Sequence, residues 1–239
     1  MKAQTIEYEQ AGTLCEGYLA YDDSRNDKRP GILVVHEWKG LDGYARRRTE
    51  MLSRLGYVAF AADIYGKGIR PQTVPEAAAM AGKFRGEDRS LLRGRVNAGL
   101  DVLRSQPQVD PLRLAAIGYC FGGTAVLELA RSGTDVKGIV SFHGGLNTPK
   151  PRDAENIKAR ILVLHGEADP FVKPEEVAAF EKEMKAARLE YRLVKYPGAQ
   201  HGFSNPENKG DNPPGACYQE AADKGSWDQM QKFFKEIFI

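Results

Sequence analysis

Residues 113–130 read RLAAIGYCFGGTAVLELA. A short, consecutively apolar run ends at GYCFGG (118–123), and a second apolar run, TAVLELA, follows at once. Consecutive apolar positions suit a strand buried on both faces of a parallel sheet, and the run beyond the glycines suits a helix. The join has the form G-x-C-x-G-G, which is the strand-to-helix nucleophile elbow G-x-S-x-G with sulfur in place of oxygen. Small residues on either side of such a turn let strand and helix approach closely while the central residue takes a strained backbone conformation. The side chain then stands at a helix N-terminus, where the dipole favours an anion and a thiolate gains more than a neutral serine.

Outward from the elbow, apolar runs alternate with helix-length amphipathic stretches. The runs lie at 31–37, 57–63, 113–119, 138–144, 160–166 and 191–197. Helices are expected at Tyr44–Leu55, Pro75–Phe84, Asp88–Arg104, Thr124–Ser132, Pro174–Arg188 and near Trp227–Phe238, with Pro75 and Pro174 in first turns that tolerate a missing N–H. Before them, TIEYEQAGTLCEGYLAYD predicts an antiparallel edge hairpin around Gly12. This order predicts an α/β protein with a mostly parallel, doubly wound sheet in one domain, residues 1–239. Two stretches rich in Gly, Pro and polar residues, 65–73 and 204–218, read as loops after strands, at the edge where ligands bind in such sheets.

Bulk composition narrows the class of function. The 239 residues are 42% hydrophobic, with a formal charge of +2 and both signs spread along the chain. That is no footprint for nucleic acid or an anionic membrane. No segment approaches the roughly 18 uninterrupted apolar residues of a membrane span. The start, MKAQTIEYEQ, is polar with no signal-peptide core, so a cytoplasmic location is expected. Three cysteines cannot complete an internal disulfide framework, and none has metal-ligand spacing.

Packing, pairing and reactivity compete for Cys120. The elbow context favours reactivity, and leaves Cys15 and Cys217 as incidental thiols. A thiol of ordinary pKa, about 8.5, is little ionised at neutral pH and needs a base, which needs an orienting acid. In α/β-hydrolases these follow the nucleophile in the order acid, then histidine. Asp169 in HGEADPFV and His201 in YPGAQHGF both follow apolar strands in that order. His36, His143 and His165 lie within or at the ends of strands, where a hydrogen-bonded structural imidazole is the commoner case. The loop after the 31–37 strand supplies one oxyanion N–H in such folds and the residue after the nucleophile the other, which assigns Trp38 and Phe121.

With HEWKG (36–40), AADIYGKG (61–68), GYCFGG (118–123), HGEADPFV (165–172) and PGAQHGF (197–203), the chain resembles the dienelactone hydrolase family of α/β-hydrolases, the carboxymethylenebutenolidase-like enzymes. The resemblance spans nearly the whole chain. It implies an α/β-hydrolase fold, a carboxylic ester hydrolase, and a Cys120–Asp169–His201 triad that cleaves small esters or lactones through a thioester. That hydrolytic chemistry implies no metal or organic cofactor. It also implies that Glu37 holds the thiol at rest and helps ionise it when substrate arrives. The best-understood members of that family hold a substrate carboxylate with two arginines. Here Asn205 stands near the position of one, and Arg70 and Arg85 are candidates for the other among several basic residues. A monomer or small homo-oligomer acting on a small molecule is expected. The alternatives are a binding or thiol redox-sensing protein on a hydrolase scaffold, or an acyltransferase.

Overall fold

The computed structural model describes residues 1–211 and 213–239, which cluster into two compact units, Met1–Ile117 and Gly118–Ile239. The first opens with β1 (Lys2–Gln10) and β2 (Thr13–Tyr21), paired antiparallel from Lys2↔Tyr21 to Gln10↔Thr13. Ala11 and Gly12 join them with φ of 49° and 73°, the two left-handed residues of a tight hairpin turn. β3 (Arg29–Val35) and β4 (Val58–Ala62) run parallel, with Gly31 opposite Val58 and Val35 opposite Ala62. The strand order in this unit is β1-β2-β4-β3, with β5 (Val109–Tyr119) beside β3.

Helices α1 (Gly43–Arg54), α2 (Val74–Phe84) and α3 (Ser90–Arg104) fill the connections. Asp42 caps α1 by accepting from Ala45 N–H at 3.1 Å. Thr73 and Glu76 form a reciprocal capping box on α2, whose first turn holds Pro75. β4 is buried at every residue, as its unbroken apolar run requires.

The second unit takes the last residues of β5 and continues through α4 (Phe121–Arg131), β6 (Gly138–Phe142), a 3-10 turn (Pro151–Asn156), β7 (Arg160–Gly166), α5 (Pro174–Ala186) and β8 (Tyr191–Tyr196). β6, β7 and β8 are parallel neighbours, with Ile139 opposite Ile161 and Ile161 opposite Tyr191. Arg131, at the end of α4, is fully buried. It grips Glu183 of α5 through two bonds of 2.8 Å and Glu128 through one of 3.1 Å.

Three local expectations change. α4 begins at Phe121, three residues before Thr124, so Cys120 is itself the N-cap. The last helix, α6 (Glu220–Ile237), starts seven residues before Trp227. Gly225 and the polar stretch EAADKGS hide its first two turns, which are fixed by burial of Ala222 and Ser226 in line with Met230 and Phe234. The 204–218 stretch is not all loop: β9 (Lys209–Asp211) and β10 (Pro214–Cys217) pair within it, and residue 212 lies outside the described residues.

Candidate active site

The elbow is built by close approach of backbone to backbone. Cys120 has φ 54° and ψ −113°, a left-handed conformation that side-chain-bearing residues rarely adopt. A Cβ on Gly118 would lie 2.0 Å from the carbonyl oxygen of Gly122, and one on Gly123 would lie 2.7 Å from Gly144 Cα. Neither neighbour can move aside, because both are main chain. The Cys120 N–H donates to Phe142 O at 3.0 Å and to His143 Nδ1 at 3.1 Å, and its carbonyl accepts from Gly123 N–H at 3.0 Å. The thiol side chain is half-buried.

Asp169 follows β7. Its Oδ1 accepts from the N–H groups of Phe171 at 2.8 Å and Val172 at 3.3 Å. That leaves Oδ2 for His201, whose Nδ1 donates to it across 2.8 Å. His201 follows β8 and is held by its main chain on both sides: its N–H donates to Gly215 O at 3.2 Å and its carbonyl accepts from Cys217 N–H at 3.0 Å. β10, unforeseen in the sequence, is therefore what clamps the imidazole-bearing turn. Nε2 of His201 lies 3.0 Å from Cys120 Sγ.

Charge and burial compete at His201. Burial pulls the imidazole down, while the Cys120 sulfur and then Asp169 push it up. The net effect holds His201 well above the ordinary histidine value. The imidazole thus lies between the sulfur and the carboxylate with its affinity for a proton raised. Phe171, half-exposed, sets its ring edge-on to the imidazole at 5.2 Å.

The other sequence candidates are placed as follows. Phe121 is buried and is the first residue of α4. In the first unit, Glu37 is 7% exposed and the Trp38 carbonyl accepts from Tyr65 Oη at 2.9 Å. The Arg70 guanidinium donates to Leu41 O and Ile69 O, each at 2.6 Å, and lies 3.8 Å from buried Asp63. Arg85 is exposed at the C-cap of α2, and Asn205 is buried.

His36 is fully buried; its Nε2 accepts from Ile64 N–H at 3.2 Å, so its Nδ1–H donates to Glu37 O at 2.6 Å. Burial pushes His165 down. Nothing in the one-dimensional pattern pointed to the His143 contact with the Cys120 amide. Among the described residues no group of three or more His, Cys, Asp or Glu is placed to hold a metal ion. No helix among them is long and apolar enough to cross a membrane.

The sequence profile of the dienelactone hydrolase family matches residues 15–238. The chain belongs to the dienelactone hydrolase family. The solved structure called m3DLH superposes on this family member with a TM-score of 0.95 at 38% identity, covering 99% of this chain and 98% of its own. A dienelactone hydrolase-like promiscuous phosphotriesterase from metagenomic libraries gives 0.95 at 35% identity, with the same coverage. A Synechocystis protein with the provisional name carboxymethylenebutenolidase is 26% identical over 231 residues, 92% of this chain and 90% of its own. The fold is the α/β-hydrolase fold, mostly parallel with antiparallel N-terminal strands, and the chain is a hydrolase of this family.

Proposed function

We propose that this dienelactone hydrolase family member cleaves small carboxylic esters or lactones by covalent catalysis at Cys120. One observation carries the reading: a sulfur on a strained elbow sits 3.0 Å from an imidazole whose other nitrogen donates to a buried carboxylate. The thiolate of Cys120 attacks the carbonyl carbon and forms a C–S bond. The N–H of Phe121, together with that of Trp38 assigned by the oxyanion-loop position in the sequence, receives the negative charge that develops on oxygen. Each such donor is worth about 3 kcal/mol of barrier.

The C–O bond of the ester then breaks, and the proton on His201 Nε2 passes to the leaving oxygen. Water, deprotonated by His201, attacks the thioester and expels the thiolate. Asp169 holds the imidazole in the tautomer this exchange needs. By the family resemblance, Glu37 restrains the thiol at rest. The reading takes residues 1–239 as one hydrolase domain working in a reducing, cytoplasmic setting. Activated esters and enol lactones suit a thiolate, since their leaving groups need little protonation.

Similarity to a promiscuous phosphotriesterase favours phosphotriesters as a second substrate class. The same sulfur forms an S–P bond as the P–O bond to the aryl group breaks, and the aryloxide leaves with the His201 proton. Water then cleaves the S–P bond to return the thiolate. The test is a panel of 4-nitrophenyl esters and enol lactones with and without a free carboxylate, plus one aryl phosphotriester. Intact-mass analysis should find an acyl adduct on Cys120. Turnover with no adduct and undiminished by Cys120→Ala, or modification by peroxide alone with no turnover, refutes the proposal.

A further inference from the structure

His143 follows β6, is fully buried, and has φ 40°, a left-handed backbone like that of Cys120. That conformation turns its ring back toward the elbow. An amide can only donate, so Nδ1, which receives the Cys120 N–H at 3.1 Å, carries a lone pair. The proton of the neutral ring is then on Nε2, which donates to Ser204 Oγ at 2.7 Å. Ser204 is also fully buried and lies three residues beyond His201. The ring is further wedged edge-on against Phe203 at 5.0 Å and against His201 at 5.5 Å. A continuous bridge thus runs from the main chain of the residue bearing sulfur, through one imidazole, to the turn bearing the other.

We propose that His143 is a positioning residue: with Ser204 it holds the left-handed elbow and the His201 turn in register, and so sets the separation of Cys120 Sγ and His201 Nε2. This rests on the reading of Cys120 as nucleophile. The sulfur swings with the φ and ψ of its own residue, and the Cys120 amide is the handle on that φ. Phe142 O holds the handle from the strand side and His143 from the side of the base. Misplacement of reacting atoms by about 1 Å costs about 10²-fold in rate, so a bridge of this kind acts on kcat. His143 acts through the main chain of Cys120 and through Ser204 in the His201 turn, so substrate affinity is not its lever.

The test compares His143→Asn with His143→Gly. Both residues accept the left-handed backbone, but only Asn places an acceptor, Oδ1, where Nδ1 stands. With 4-nitrophenyl acetate, His143→Gly should lower kcat by about 10²-fold and leave KM within about twofold, and should slow alkylation of Cys120 by iodoacetamide. His143→Asn should recover kcat to within about tenfold of the parent. Ser204→Ala, which leaves the ring but removes its anchor, should fall between them. Nitrogen-15 spectra of histidine-labelled protein should show His143 neutral with its proton on Nε2.

Equal losses in the Asn and Gly variants, or parental kcat in His143→Gly, overturn the proposal, as does a proton on Nδ1. If His143→Gly shows no cooperative melting transition, Ser204→Ala decides: parental kcat and alkylation rate overturn it. Cys120→Ala run in parallel separates the two readings. An active Cys120→Ala overturns the proposed function itself, whereas a silent Cys120→Ala beside a fully active His143→Gly overturns only the role of His143.

Discussion

Nε2 of His201 and Sγ of Cys120 lie 3.0 Å apart although 81 residues separate them in the chain. Each belongs to a different loop at the end of a parallel strand, β8 for the imidazole and β5 for the sulfur. The same imidazole donates through Nδ1 to the Asp169 carboxylate at 2.8 Å, so its two nitrogens join sulfur and carboxylate.

Replacement of that sulfur is the most direct test. Cys120→Ala is expected to abolish hydrolysis of activated esters, while Cys15→Ala leaves it intact, because Cys15 is fully buried with Arg95 against its sulfur. Initial rates on 4-nitrophenyl acetate for the parent and both variants check this. Equal rates in all three proteins sink the assignment.

Asp169→Asn keeps a side chain of the same shape but removes the carboxylate. Its hydrogen bond and its charge both raise His201, so their loss moves that imidazole toward lower pKa. It also weakens the preference for the proton on Nδ1. We expect kcat to fall about 10³–10⁴-fold, and an NMR titration to find His201 losing its proton at lower pH than in the parent. An unmoved titration with parental kcat contradicts the geometry described above.

Gly118 and Gly82 make opposite predictions for the same substitution. A Cβ at Gly118 meets main-chain oxygen at 2.0 Å, so Gly118→Ala should open the elbow and destabilise by about 3 kcal/mol or more. Gly82 lies inside α2 with nothing within 4 Å of a new Cβ. Gly82→Ala should stabilise by about 0.5–1 kcal/mol through reduced entropy of the unfolded chain. Urea midpoints for the two variants measure both.

Arg131 anchors the helix that begins at Phe121. Arg131→Met leaves the carboxylates of Glu128 and Glu183, 0% and 6% exposed, without their cation. Loss of one partner from a buried ion cluster costs about 3–5 kcal/mol. Replacing all three residues by apolar ones of similar volume should recover most of it, since that also removes the stranded charges. Chemical denaturation of the single and triple variants tests the pair of statements. A single variant as stable as the parent would show the cluster to be idle.

His36 predicts a pH effect. Its burial outweighs the Glu37 carbonyl and the charge of Asp63, and the net shift is downward. The folded state therefore binds fewer protons than the unfolded state between the two values. Stability from the neutral ring is fully present above the unfolded value of about 6.5, and is lost as pH falls toward the folded one. The slope there is up to about 1.4 kcal/mol per pH unit per proton. His36→Gln should fall less steeply over that window in urea titrations. A parallel decline in both proteins assigns the acid sensitivity to other groups.

Much of the architecture was legible along the chain. Consecutive apolar runs marked the parallel strands, the hairpin announced itself through Gly12, and the glycines around Cys120 marked the elbow. These are local signals, set by backbone sterics and by which faces must be dry. The start of α6 was hidden because its first turns are polar and contain Gly225. β9 and β10 were hidden because Gly and Pro at 210, 213, 214 and 215 resemble a loop in composition.

The sequence by itself determined the order of elements and the residue types at the strand ends: a sulfur in a bend, then a carboxylate, then an imidazole. Only the tertiary structure decided that Cys217 and Gly215 clamp the main chain of His201, and that His143 reaches the Cys120 amide. The reason is physical. Periodicity and turn chemistry act between residues a few positions apart, whereas a hydrogen bond across dozens of residues depends on where several loops end after the strands have packed. Which nitrogen carries a proton follows from that packing and has no signature in the order of letters.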